Sequence, residues 1–271
     1  MSDPGISPAR EKYLIRQKRE KTLVQTIRIF LLVALLALWE IAGRLGWIDV
    51  FIVSCPSRIL KTLASLWNSG DLWRHLGTSC GETVVGFLLG TLLGAIIAVA
   101  LWWSSFAAKV LEPYLVVLNA LPKTALGPVF IVWIGAGTES IIAMTLAISI
   151  FVTILNMYVG FCSVDPEKLR LMQTLGATKS QTLRMLVLPA NYATLFNTLR
   201  VNVGLSWVGV IMGEFLVSKA GLGYLIVYGS QVFNMDLVMA SVLLLAAAAV
   251  VMYRLVLLLE RGLRVKMGVT E

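Results

Sequence analysis

The chain has 271 residues, 58% of them hydrophobic and 14% charged, with a formal net charge of +8. Several apolar runs of roughly 20 residues exclude an ordinary soluble domain and define a polytopic membrane protein, and no long polar block remains from which to build a separate soluble one. The positive charge reads as basic residues held at the inner ends of membrane helices, not as a nucleic-acid surface.

Residues 1–22 carry Arg10, Lys12, Arg16, Lys18, Arg19 and Lys21 without any core-forming pattern, and read as a retained cytoplasmic basic tail, not a cleaved leader. Residues 23–77 hold the first span, from about Leu23 to Trp47, and an external surface helix within Phe51–Gly77. Glu40, one turn from Arg44, is expected to pair with it locally. The second span, about Thr78 to Trp103, contains Gly86, Gly90 and Gly94, two overlapping GxxxG steps that let another helix approach closely. His75, the single histidine, is expected at the interface before this span. Cys55, Cys80 and Cys162 form neither a disulfide framework nor a metal knuckle.

The third hydrophobic segment is interrupted by LPKTALGP, in which Pro122 and Pro128 bracket Lys123, Thr124 and Leu126. Two interior prolines around a lysine are incompatible with a straight helix. Broken backbone at membrane depth is tolerated where it lines a cavity, so these residues are candidates for a translocation pathway; a plain kink with Lys123 snorkelling to an interface is the alternative. The fourth span runs from Glu139 to Phe161 and the fifth from about Thr194 to Val217. The fifth carries Arg200, read as snorkelling, together with Asn202, Ser206 and Glu214, further pathway candidates; the alternative for Glu214 is a helix-packing or loop-anchoring carboxylate. AGLGYL then signals a turn. The sixth span, Leu237 to about Leu259, leads to a basic tail over 261–271.

Between the fourth and fifth spans lies a charged island within the loop 162–193, DPEKLRLMQTLGATKSQTLRMLVLP. Asp165 is a good N-cap, Pro166 fits the first helical position and Glu167 faces the positive end of the helix dipole. Gly176 marks a left-handed C-terminus, Thr178 and Gln181 have capping-box spacing, and Pro189 is expected to close the second helix. Leu171, Met172 and Leu175 share one face, a small apolar surface outside the bilayer. Placing the termini and this loop inside concentrates basic residues there, from the N-terminal tail through Lys109, the island, and Arg254, Arg261, Arg264 and Lys266. Arg44, Arg58, Lys61, Arg74 and Lys219 fall outside, with Lys123 unassigned, so the loop is expected in the cytoplasm.

Gly176, nine residues, Leu186, one residue, then Leu188-Pro189 resembles the cytoplasmic-loop signature of permease subunits of binding-protein-dependent ABC importers. The front of that signature, Glu-Ala-Ala in the family, is Arg170, Leu171 and Met172 here, so the family's glutamate contact does not carry over. LPKTALGPVFIVWIGAG, the DPEKLRLMQTLGA start with Gly176 and Ala177, and GEFLVSKAGLGYLI are similar to the nitrate, sulfonate, taurine and bicarbonate branch. The resemblance implies an all-α type I permease fold with six transmembrane helices and a permease core over 78–260, in a bacterial inner membrane. It implies two ATPase subunits, a second permease subunit forming a homodimer, and a periplasmic or lipid-anchored solute-binding protein. Glu167, Arg170, Leu171, Met172, Leu175, Gly176, Ala177, Leu186, Leu188 and Pro189 would form the coupling helix seated on the ATPase. ATP and Mg would be bound by that partner, since no GxxxxGK[ST] loop occurs here, and this chain would bind no cofactor or metal and hydrolyse nothing. A permease of the same fold for a vitamin precursor, or an ion-coupled carrier, stand as alternatives. An intramembrane enzyme is disfavoured by the single histidine and scattered carboxylates.

Overall fold

The computed structural model describes residues 8–266, so the outermost parts of both basic tails, 1–7 and 267–271, lie outside the described residues. The described chain is helical, with no strand. Five helices are long and apolar enough to cross a membrane, and a sixth crossing results if one pair bent by 86° counts as a single span.

Contacts divide the chain after Thr62. In the first unit, α1 (Pro8–Arg44) carries the expected tail and span as one unbroken helix, because the tail is rich in Lys, Arg, Glu and Gln, all good helix formers. After it come the short α2 (Val50–Val53) and the start of α3 (Pro56–Ser69). Arg44 Nε donates to Glu40 Oε1 at 2.8 Å, the expected local pair. Glu40 Oε2 also accepts from the Ser57 backbone at 3.0 Å, satisfying an orphan amide at the start of α3.

In the second unit, Gly70 (φ 81°) ends α3 and Asp71 opens α4 (Asp71–Trp103). The surface helix therefore stops at Ser69, and 71–77 are the first turns of the second span. α5 (Ser105–Ala120) is followed by a 3-10 turn (Lys123–Leu126) and α6 (Gly127–Ile134), the bent pair. α7 (Thr138–Cys162) lies between α4 and α11 (Tyr192–Val217). On α4, a Cβ on Gly86 would come within 2.8 Å of the Thr145 Cβ, and one on Gly94 within 2.6 Å of the Thr153 Cβ. Gly90 faces Ser149 in the same way, so the glycine face predicted to permit close packing meets a ladder of α7 hydroxyls. Each hydroxyl is satisfied within its own helix: Thr145, Ser149 and Thr153 donate to the carbonyls four residues back at 2.9–3.0 Å. That removes the polar cost of burying them and leaves small surfaces for the glycines to cover. From α11, Gly209 and Gly213 meet Thr145 and Ile141 on the other side. α12 (Leu222–Gln231) and α13 (Met235–Lys266) complete the bundle.

Candidate functional site

Between α7 and α11 the island folds as two capped helical pieces. The Asp165 carboxylate accepts from the Glu167 amide at 2.9 Å and opens α8 (Pro166–Thr174). Gly176 (φ 72°) closes it: its amide donates to Gln173 O and the Ala177 amide to Met172 O, both at 3.0 Å, a Schellman pair. Thr178 and Gln181 form the predicted capping box at the head of α9 (Lys179–Thr182). Pro189, however, does not close the second helix. A π turn, Leu183–Val187, carries the chain into α10 (Leu188–Ala190), and the Leu188 amide bonds to Leu183 O. The wider turn makes room for the proline ring, which in an α-helix would strike the carbonyl four residues back.

This hairpin is held against the end of α4. Lys179 Nζ donates to Trp103 O at 2.5 Å and lies 5.7 Å from the centroids of both Trp102 and Trp103. Val187 is fully buried with Ala98, Met157, Phe161 and Val164, and Leu186 packs against that cluster. Outward, Leu171 is 59% exposed and Leu175 73%. Met172 is half-buried, while Glu167, Arg170, Gly176, Leu188 and Pro189 are exposed. The uncovered apolar face is thus Leu171 with Leu175, a turn apart on a helix capped at both ends.

At the break, Pro122, Thr124, Leu126 and Pro128 are exposed and Lys123 is half-buried. Lys123 Nζ donates to Asn119 O at 2.8 Å and to Asn119 Oδ1 at 3.2 Å, and lies 5.8 Å from the Phe151 ring centroid. Asn202, Ser206 and Glu214, the other pathway candidates, are buried among helices. Asn202 Nδ2 donates to Thr91 Oγ1 at 3.0 Å and to Thr153 Oγ1 at 2.6 Å, joining α4, α7 and α11, and Ser206 is fully buried one turn further along α11.

Glu214 anchors the opposite end of the bundle. Its Oε1 accepts from Ser79 Oγ and its Oε2 from the Gly223 amide, both at 2.5 Å. Ser79 Oγ accepts from the Leu222 amide at 2.7 Å, and His75 Nδ1 from the Gly221 amide at 3.0 Å. Three successive amides at the head of α12 are therefore satisfied by side chains from α4 and α11. His75 is buried and stacked on Tyr224, because it caps a helix 146 residues away in sequence. Glu82, one turn beyond Ser79, accepts from Thr138 Oγ1 at 3.0 Å. His75, Ser79 and Glu82 fall at i, i+4 and i+7, a polar stripe on an apolar helix that marks this cluster in the sequence. Arg200 is ion-paired with Glu260 of α13, a partner that no local spacing announces.

A bundle of membrane-length helices, with one sharply bent helix pair and a capped helical hairpin between α7 and α11, is the architecture of a multi-pass membrane protein. The chain belongs to the family of binding-protein-dependent transport system inner membrane components, whose family model matches residues 90–265. It is an ABC importer permease, a transport component and not an enzyme. A Bacillus subtilis protein described as an aliphatic sulfonates transport permease is 28% identical over 96% of this chain and 94% of its own length. The Escherichia coli taurine transport system permease protein is 26% identical over 88% of this chain and 86% of its own. In fold, the chain resembles the crystal structure of a bacterial ABC transporter involved in import of the acidic polysaccharide alginate, with a TM-score of 0.64 at 16% identity, over 93% of this chain and 98% of that one.

Proposed function

We propose that this chain is the permease subunit of an ATP-driven importer that carries a small anionic solute of the sulfonate, taurine, nitrate or bicarbonate class across a bacterial cytoplasmic membrane. An external binding protein delivers the solute, a second copy of the chain completes the pathway, and two ATPase subunits dock on the inner face. The termini and the α8–α10 hairpin face the cytoplasm. The chain itself binds neither cofactor nor metal, and the ATPase partner holds ATP and Mg. The substrate class rests on similarity to permeases of sulfonates and taurine over most of the chain.

The observation that carries the coupling role is the exposure of Leu171 and Leu175 on a helix capped at both ends, whose neighbour α9 is tied to the end of α4 through Lys179. A rigid helix with an uncovered apolar face is suited to enter a groove on a partner, and its attachment to α4 and α7 lets partner movement rock the spans as bodies. The exposed α5–α6 break lines the pathway. Asn202, Ser206 and Glu214, buried in the bundle, hold it together alongside.

The test is reconstitution of the permease with its ATPase and binding protein in proteoliposomes, followed by uptake of labelled taurine and ethanesulfonate. ATP-dependent uptake that requires the binding protein is expected. Uptake driven by an ion gradient without ATP would overturn the importer reading in favour of an ion-coupled carrier, and ATP-dependent uptake of a vitamin precursor alone would overturn the substrate class.

A further inference from the structure

We infer that the Lys123 ammonium is the charge contact that receives the acidic group of the passing anion at mid-depth; this rests on the reading that the chain transports an anion. The depth follows from Phe151, over whose ring Lys123 Nζ lies. Phe151 is the fourteenth residue of α7, about 20 Å from Thr138 and about 17 Å from Cys162 at ~1.5 Å per residue, so the ammonium is level with the middle of a membrane-length helix.

A cation at that depth is costly and is kept where it faces a partner or a water-filled cavity. The local chain supplies part of the compensation. With the helix broken at Leu121, the Asn119 carbonyl loses the amide four residues on as its partner, and the side chain of that same residue, Lys123, takes its place. The ammonium also sits off the C-terminal, negative end of α5, which favours a cation there. Two of its three hydrogens are used by Asn119 O and Oδ1. Asn119 is neutral, so the positive charge is solvated but not cancelled.

The surroundings are open. Pro122, Thr124, Leu126 and Pro128 are exposed beside it, and the backbone that leaves the helix at Leu121 and Pro122, itself exposed, cannot face lipid at membrane depth. Discontinuous spans of this kind form substrate sites near the midplane in other transporters. An uncancelled cation beside such a break attracts an anion and repels a cation.

The experiment measures that field directly, without requiring the substrate. In the full importer, with Cys55, Cys80 and Cys162 replaced by serine, Thr124→Cys is labelled with anionic and cationic methanethiosulfonates of similar size. The anionic-to-cationic rate ratio is expected to fall about tenfold on Lys123→Gln and to hold in Lys123→Arg, as the field of one unit charge a few Å away requires. Lys123→Met, which keeps the stem on Phe151, replaces the glutamine variant should that fail to assemble. In parallel, Lys123→Gln should lower ethanesulfonate uptake about tenfold while ATPase stimulation by the loaded binding protein persists. An unchanged labelling ratio would overturn the inference, leaving Lys123 as a cap on α5 only. A wild-type complex that carries no anion would overturn the substrate class instead, whatever the ratio.

Discussion

Glu214→Ala distinguishes an anchoring carboxylate from a transport acid. Glu214 is 1% exposed, with both oxygens engaged, one by the Ser79 hydroxyl and one by the Gly223 amide. Alanine leaves the Gly223 amide buried without an acceptor, at a cost of about 1–3 kcal/mol, and the Ser79 hydroxyl half-satisfied. It also leaves a void where the carboxyl stood, bringing the total to about 2–4 kcal/mol. The loss falls on the head of α12, which is still tied to α4 by the Leu222–Ser79 and Gly221–His75 bonds and the His75–Tyr224 stack. Hydrogen exchange of peptides covering 218–225 in the purified permease should therefore quicken by about thirtyfold to a thousandfold, at 1.4 kcal/mol per factor of ten. Peptides from α7 should change little, and the thermal midpoint in detergent should fall. Glu214→Gln, which keeps one acceptor oxygen, should be intermediate. Unchanged exchange and midpoint together with lost uptake would refute the anchor and return Glu214 to the pathway.

Leu175→Asp should leave the isolated permease as stable as wild type, because the side chain is already 73% exposed, yet weaken ATPase co-purification at least about tenfold, since a carboxylate must be desolvated where a leucine was buried. Normal ATPase association and uptake in that variant would sink the docking reading. Cysteines at Thr124 and Leu126 should react with water-soluble thiol reagents at rates that differ between nucleotide-free and ATP-trapped importer; uniform protection in both states would favour a lipid-side kink. Gly94→Val should cost about 1–3 kcal/mol or more by overpacking against Thr153, read as a lowered thermal midpoint, whereas the same change at Gly77, where an added Cβ meets nothing, should cost far less.

What could be read in the sequence and what could not divides according to the range of the interaction. Asp165, Gly176 and the Thr178–Gln181 box were readable because a cap is built from residues within one turn of each other, and all three appear in the structure in those roles. The break at LPKTALGP was readable for the same reason, since the lost hydrogen bond belongs to the proline itself. Pro189 was misread because the sequence names the conflict and not its remedy: an end to the helix and a widened turn both relieve the clash, and the chain adopts the second.

The glycine stripe announced a close neighbour but not its identity, because Thr145, Ser149 and Thr153 bond back to their own helix and leave no unsatisfied donor to search for a partner. The partners of His75 and Arg200 were not legible because each is distant in sequence, an amide 146 residues from His75 and a carboxylate 60 residues from Arg200. Single polar residues in apolar helices carry no local sign of such partners. Their spacing does carry one when they recur, as His75, Ser79 and Glu82 do along one face of α4. In a membrane bundle a polar stripe of that kind is therefore evidence for polar groups opposite it, here the head of α12 for His75 and Ser79 and Thr138 of α7 for Glu82, because hydrocarbon could not satisfy it.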